Sequence, residues 1–434
     1  MARWTWRARV AAVPLTGVLC LASGCGAPTH DRTAATVRSP DAVAAPVPAA
    51  GLVPPTPGPS ATVPLDELAP GLFYRPPTPL VPAPAGSLVR WQTIPLGTGF
   101  PRGSRAYRVL YRSRSAAGTD VAVSGMVVVP GGTPPPGGFP VVAWAHGTTG
   151  LAVGCAPSLQ GTASIPLVHR LVAVRDVVAA TDYQGLGSPG TPSYLDGPVE
   201  GADVLDAAEA ARALDPARIS GKVVVLGYSE GGQAALFAGQ MTGSDAPGIT
   251  LAGVVAVAPV ADVSELAPLP PARHADPATG FAVMAVWAWS EADPGFPADR
   301  VLTRSATRIA AALASGCSGA AAARFATIPV DRVFEPGWSA LPAVRAALDA
   351  NRPGFAPLRV PTMVVQGAAD RIIPAGETRR LVVDRLCRAE RDPAALDVVA
   401  GATHDSVLGA ASGTILAWIA RRIAGGPARA RCPR

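Results

Sequence analysis

The apolar residues of this chain change their spacing as the sequence runs, and each change marks a different kind of structure. From Ser87 onward, Leu88–Pro95, Tyr107–Ser113 and Val121–Val129 alternate or run apolar, carry β-branched residues and are bounded by Gly and Pro. That texture predicts antiparallel strands. Short, solidly apolar runs follow at Val141–His146, Val177–Asp182, Val223–Ser229, Val254–Pro259, Thr362–Gln366 and Leu396–Ala400. Strands that are apolar on both faces belong in a parallel sheet covered by helices on both sides. Helical spacing fills the gaps at Val199–Leu214, Gly231–Met241, Thr378–Arg388 and Ser406–Ile423, where Ile415, Leu416, Ile419 and Ile423 share one face. The pattern therefore predicts an α/β core in two parts, 87–262 and 359–434.

Between Val263 and Leu358 the strand rhythm stops. Ala-rich helical pieces at Phe281–Trp289, Val301–Ala314 and Leu341–Ala350 take its place. Roughly ninety-five residues is far beyond an ordinary connecting loop, so 263–358 is expected to be a helical cap inserted between two sheet strands. Its aromatic residues, Phe281, Trp287, Trp289 and Phe296, pack the cap itself or meet an apolar substrate.

Ahead of the core the pattern dissolves. Residues 26–86 are rich in Pro, Ala, Thr and Val and read as an extended tether, with 65–86 wrapping onto the body. Further upstream, Arg3, Arg7 and Arg9 precede an apolar run from Val10 to Leu21, and then Ala22, Ser23 and Gly24. Basic, apolar, small is the order of a secretory signal peptide, here 1–25. The run is shorter than the ~20 residues that span a bilayer. Cys25 stands where a bacterial lipoprotein carries its lipid, which would add a membrane surface as a partner. Ala22 holds the place where Leu is usual, so a lipid anchor on Cys25 and plain secretion both remain open.

Composition sharpens this picture in two respects. Nearly half the residues are apolar, 49% against 16% charged, so a large core can be buried. The net charge of +6 is spread over scattered arginines, with Lys222 the single lysine. Nucleic-acid binding needs a clustered basic face, and none is present in the sequence. Export also gives the cysteines a meaning. Beyond Cys25, four remain, Cys155, Cys317, Cys387 and Cys432, and they allow three pairings. Cys155 with Cys317 and Cys387 with Cys432 is the expected set. No spacing of Cys or His suggests a metal site.

The candidate chemistry centres on Gly227-Tyr228-Ser229-Glu230-Gly231. The pentapeptide follows an apolar strand and opens a helix, the setting of a nucleophile elbow, whose tight turn needs small flanking residues. Without that setting it would be an ordinary Gly/Ser turn. A serine hydroxyl needs a base within hydrogen-bond reach. Among five histidines, only His404, in Gly-Ala-Thr-His-Asp after the last strand, comes late enough to serve. The acid should end the strand before it, and Asp370 does so, with Glu377 as its nearest rival. An oxyanion hole needs backbone N–H groups aimed at developing charge. Glu230 supplies the first. The second comes from Ala145–Gly150, with Thr148 as donor, or from Thr181–Gly187.

Taken in order, His-Gly-Thr-Thr-Gly, Thr-Asp-Tyr-Gln-Gly-Leu-Gly, Gly-Tyr-Ser-Glu-Gly-Gly, Gly-Ala-Ala-Asp and Gly-Ala-Thr-His resemble the secretory lipase family of α/β-hydrolases. That family includes fungal lipases of the Candida lipase A type and actinobacterial relatives. The resemblance spans 87–423. It implies lipase or esterase activity on acyl esters, a lid over an acyl tunnel and no cofactor. It also implies that Asp182 contributes an oxyanion N–H along with Glu230. An acidic Glu230 beside the nucleophile departs from the Gly or Gln more comfortable there. A peptidase, thioesterase or polyester hydrolase would use the same triad, because fold and triad do not fix the leaving group. A non-catalytic binding protein of this fold would often have lost a triad member. Oligomeric state has no sequence signal here.

The leader makes a direct prediction. Intact-mass analysis of protein from a native-type host should show a chain beginning near Cys25. A diacylglyceryl adduct on Cys25 would mark a lipoprotein, an unmodified start would mark secretion, and a retained Met1 would contradict both.

Overall fold

The computed structural model describes residues 70–241, 246–267, 274–358, 360–427 and Cys432. The expected leader, most of the tether and Cys25 lie outside the described residues. Phe73 and Tyr74 are already buried, and the Tyr74 hydroxyl meets Ser158 Oγ at 2.7 Å, so the chain is packed on the body well before Ser87.

Among the described residues, nine strands form a single sheet: β1 (Leu88–Ile94), β2 (Arg105–Arg114), β3 (Asp120–Val129), β4 (Phe139–Ala145), β5 (Val177–Thr181), β6 (Ile219–Tyr228), β7 (Thr250–Val257), β8 (Thr362–Gly367) and β9 (Ala394–Val399). Their order is β1-β2-β3-β5-β4-β6-β7-β8-β9. The first three pair antiparallel, as does β3 with β5, and every later pair is parallel. From β2 onward this is the eight-strand order of the α/β-hydrolase fold, with β1 added at the edge. β4 and β6 carry almost nothing but apolar residues through their paired stretches, because helices cover both faces. Separate apolar clusters fill the two sides: the helices Gly197–Leu214 and Glu230–Gln240 pack on one, and Val168–Ala173 with Ser412–Ile423 on the other.

Two expected helices are divided. Val301–Ala314 breaks at Leu302–Thr303, where Thr303 Oγ1 accepts from the Ala306 N–H and starts a new helix, Arg304–Leu313. Capping by a Thr side chain suits a helix start and not a helix interior. Ser406–Ile423 begins two residues earlier, at His404, and is interrupted at Ala411. β9 also differs from a doubly covered strand. It is the sheet edge, and Val398 is 45% exposed.

Between β7 and β8 lie helices Thr279–Ala292, Ala298–Val301, Arg304–Leu313, Ser318–Phe325 and Pro342–Ala350, with an apolar cluster of their own. Where this insertion leaves and returns, Arg352 Nε donates to Asp262 Oδ2 at 2.6 Å. A second tie runs to the core. Cys317 is disulfide-bonded to Cys155 and forms an antiparallel bridge with Gly150. Cys387 pairs with Cys432, so the disulfides are the two expected.

The disulfides close loops of different size, with sequence separations of 162 and 45. Chain entropy alone makes the larger loop worth about 1 kcal/mol more. In urea unfolding, replacing Cys155 and Cys317 together by Ala should cost more than replacing Cys387 and Cys432. Equal costs would show that loop closure does not set the stabilisation.

Candidate active site

The site is built where β6 ends. Ser229 follows Tyr228 with φ 59° and ψ −118°, a left-handed backbone that a serine adopts only at a cost of about 1–3 kcal/mol. Close packing enforces the turn. A Cβ on Gly227 would collide with the carbonyl oxygen of Gly231, and one on Gly231 would collide with that of Ala145. Only glycine lets strand and helix meet so closely. The helix Glu230–Gln240 then starts immediately, and its first N–H, that of Glu230, has no carbonyl behind it.

Two loops at the same edge of the sheet bring the partners. His404 Nε2 is 2.9 Å from Ser229 Oγ, and His404 Nδ1 is 2.8 Å from Asp370 Oδ2. Asp370 follows β8. Its Oδ1 accepts from the N–H groups of Ile372 and Ile373, at 2.9 and 2.8 Å, and Gln366 Nε2 reaches Oδ2 at 3.0 Å. With both oxygens held, the carboxylate is fixed before the imidazole arrives. His404 opens its helix beneath a Thr403–Ser406 capping box, and the Tyr228 hydroxyl donates to its carbonyl at 3.1 Å. The rival acid Glu377 is not at the site. Its carboxyl lies against Glu265, and burial with that like charge pushes it up to about 9.

The oxyanion expectations divide. Thr148 lines, with Ser229, His404 and Phe281, a cavity of about 380 Å³ at the mouth of the elbow. Asp182 does not serve, which corrects the reading from the resemblance. Its N–H donates to the Ser124 carbonyl at 2.8 Å where β3 meets β5, and its buried carboxylate takes bonds from Ser124 Oγ, Ser158 Oγ and the Ser158 N–H. Those bonds tie loops together beneath the site.

One arrangement has no counterpart in the sequence reading. The Glu230 side chain turns inward, only 3% exposed, toward Glu200 of the helix Gly197–Leu214 and toward Thr148. Burial, then the neighbouring Glu230 carboxyl, raises Glu200 well above the usual carboxylate range. Burial raises Glu230 as well, against the pull of His146 and the bonds from Glu200 and Thr148. Glu200 sits three residues inside a capped helix, a position that by itself suggests only favourable interaction with the helix dipole.

A family model described as secretory lipase matches residues 156–430. The chain belongs to the secretory lipase family. Like its family, it is a carboxylic ester hydrolase. Comparison with curated protein sequences finds no match. Among solved structures, Candida antarctica lipase A in its closed state is similar at TM-score 0.70 and 17% identity, over 83% of this chain and 88% of that one. The ligand-bound rice cell wall degrading esterase LipA from Xanthomonas oryzae is similar at TM-score 0.63 and 18% identity, over 79% and 97%. A Legionella pneumophila protein gives a TM-score of 0.60 at 18% identity, over 74% and 88%. At such identities these likenesses concern the fold. Among the described residues of this secretory lipase, no cluster of His, Cys, Asp or Glu could hold a metal ion, and no helix is long and apolar enough to cross a membrane.

The site geometry sets a mutational test. Ser229→Ala and His404→Ala should each lower kcat by about 10⁴-fold or more with an unchanged melting temperature. Asp370→Asn should approach the same loss, because an amide stabilises the wrong imidazole tautomer. Glu377→Gln should stay close to wild type. A dead Glu377→Gln beside an active Asp370→Asn would reverse the assignment of the acid.

Proposed function

We propose that this chain is an exported lipase or carboxylesterase that cleaves acyl esters through an acyl-enzyme on Ser229. The observation that carries the reading is the hydrogen-bonded line from Ser229 Oγ through the His404 ring to Asp370, at the strained turn after β6. His404 Nε2 takes the hydroxyl proton as Oγ attacks the ester carbonyl, and Asp370 stabilises the imidazolium. The Glu230 N–H and the Thr148 loop receive the oxyanion. His404 then passes its proton to the departing alcohol. A water molecule, activated by the same imidazole, later releases the acid. Export rests on the basic-apolar-small leader and on two disulfides, which persist in oxidising compartments. Lipid on Cys25 belongs to the same proposal.

The insertion bears on which esters fit. The helix Thr279–Ala292 presents Phe281 to the Ser229 cavity. Farther along, Val283, Met284 and Trp287 line a separate apolar void of only about 10 Å³. Trp289 packs edge-on against Phe296 inside the insertion. Each buried acyl methylene is worth ~0.8 kcal/mol, so the cavity should favour medium chains over acetate.

Two measurements test the proposal. A fluorophosphonate probe should label Ser229 in wild type, and absence of an adduct would refute the acyl-enzyme. Across p-nitrophenyl esters from acetate to palmitate, Phe281→Ala should alter the chain-length profile of kcat/KM. Trp289→Ala should lower the melting temperature and depress all esters alike. A profile unchanged by Phe281→Ala would show that the insertion does not read the acyl chain.

A further inference from the structure

The acidic residue next to the nucleophile is the feature that the reaction does not itself require. A buried carboxylate one residue from the developing oxyanion opposes its charge, so its presence needs a compensating role. Three observations supply one.

The first is a pair of orphaned oxygens. Glu200 Oε1 accepts from the Leu195 N–H at 2.9 Å, but Glu200 Oε2 and Glu230 Oε2 are buried with no donor. Two carboxyl groups in contact satisfy both oxygens only if one proton lies between them. A proton shared between the two carboxyls meets that need.

The second is the grip on Thr148. Its Oγ1 faces the Glu230 carboxyl and lies 3.1 Å from the Tyr194 hydroxyl. Behind it, Ser318 closes the loop from the insertion: its Oγ donates to the Thr148 carbonyl at 3.0 Å and its N–H to the Thr149 carbonyl at 2.8 Å.

The third is the charge around the pair. His146, just after β4, faces Glu230. Its Nδ1 lies 2.7 Å from the Gly147 carbonyl and its Nε2 3.2 Å from the Asp182 carbonyl. Asp196, at the N-cap of the Glu200 helix, adds negative charge, and the buried hydroxyls of Tyr183 and Tyr194 complete the surroundings.

We propose that Glu230, sharing one proton with Glu200, is a positioning residue of the oxyanion hole. Its backbone N–H is one donor, and its side chain holds the Thr148 loop that supplies the other. A single residue thereby sets the spacing between the two halves of the hole. The shared proton keeps the device at one negative charge. Loss of that proton at high pH places two carboxylates beneath Thr148 and loosens the grip.

The inference rests on acyl transfer by Ser229, and the test separates the two. With p-nitrophenyl butyrate, Glu230→Ala should lower kcat by about 10- to 100-fold while KM changes little, the scale expected of a misplaced oxyanion donor. Glu230→Gln, which still accepts from Thr148, should recover most of that loss. Wild type should lose kcat at alkaline pH, and Glu200→Gln, whose amide donor does not ionise, should abolish that limb. A merely structural pair would lower the melting temperature without moving the limb. If Glu230→Ala does not fold, the Glu230→Gln and Glu200→Gln profiles decide alone. A folded Glu230→Ala with wild-type kcat, or an alkaline limb unchanged in Glu200→Gln, would overturn the proposal. Failure of wild type to react with a fluorophosphonate would instead remove acyl transfer itself, and this inference with it.

Discussion

The molecule is organised around one steric constraint: a strand and a helix must meet at Ser229 with almost nothing between them. Gly227 lies against the carbonyl of Gly231, and Gly231 against that of Ala145. The contact draws β6, β4 and the helix Glu230–Gln240 to one point and forces left-handed backbone on the serine. No local hydrogen bond could pin such strain alone. It persists because the sheet on either side is buried and its register is fixed through β4 and β7. Once the turn is set, the positions of the other groups follow. The loops after β8 and β9 leave the same edge of the sheet, and Asp370 and His404 come with them.

The same constraint explains how a buried acidic pair can exist there. The helix beginning at Glu230 crosses the helix Gly197–Leu214 so closely that Gly201 lies against Phe237. The Glu200 and Glu230 side chains are buried there. A carboxyl placed there must find a donor inside the protein, and a second carboxyl with a proton is one of the few groups that can both fill the space and donate.

Much of this was legible in the sequence because the signals are local or strictly ordered. Apolar runs bounded by Gly and Pro located the nine strands among the described residues, and the elbow pentapeptide with late Asp and His located the residues that the fold brings together. The illegible parts depend on register and long-range packing. Asp182 sits at the expected strand exit, yet its N–H is consumed because β3 pairs with β5 there. Nothing near Asp182 encodes that pairing. β9 is apolar like its neighbours and is nonetheless an edge, since strand order is a property of the whole sheet. The inward turn of Glu230 required a partner thirty residues upstream. Thr303 is a milder case: a Thr ahead of an Arg-Ser-Ala run is a capping signal, and the Ala-rich helical texture on both sides obscured it.

The ion pair between Asp262 and Arg352 carries one more consequence. β7 and β8 are parallel neighbours, so the chain leaves the end of β7 and must cross back to the start of β8 at the opposite edge of the sheet, and the pair fastens the two ends of the insertion together before that crossing. A segment anchored in that way is topologically a lobe on a short stalk. Its helices can lengthen, shrink or be exchanged for others without altering the register of a single strand. The insertion can therefore be rewritten without disturbing the sheet, except at Cys317 and Ser318, which tie it to the core and to the Thr148 loop.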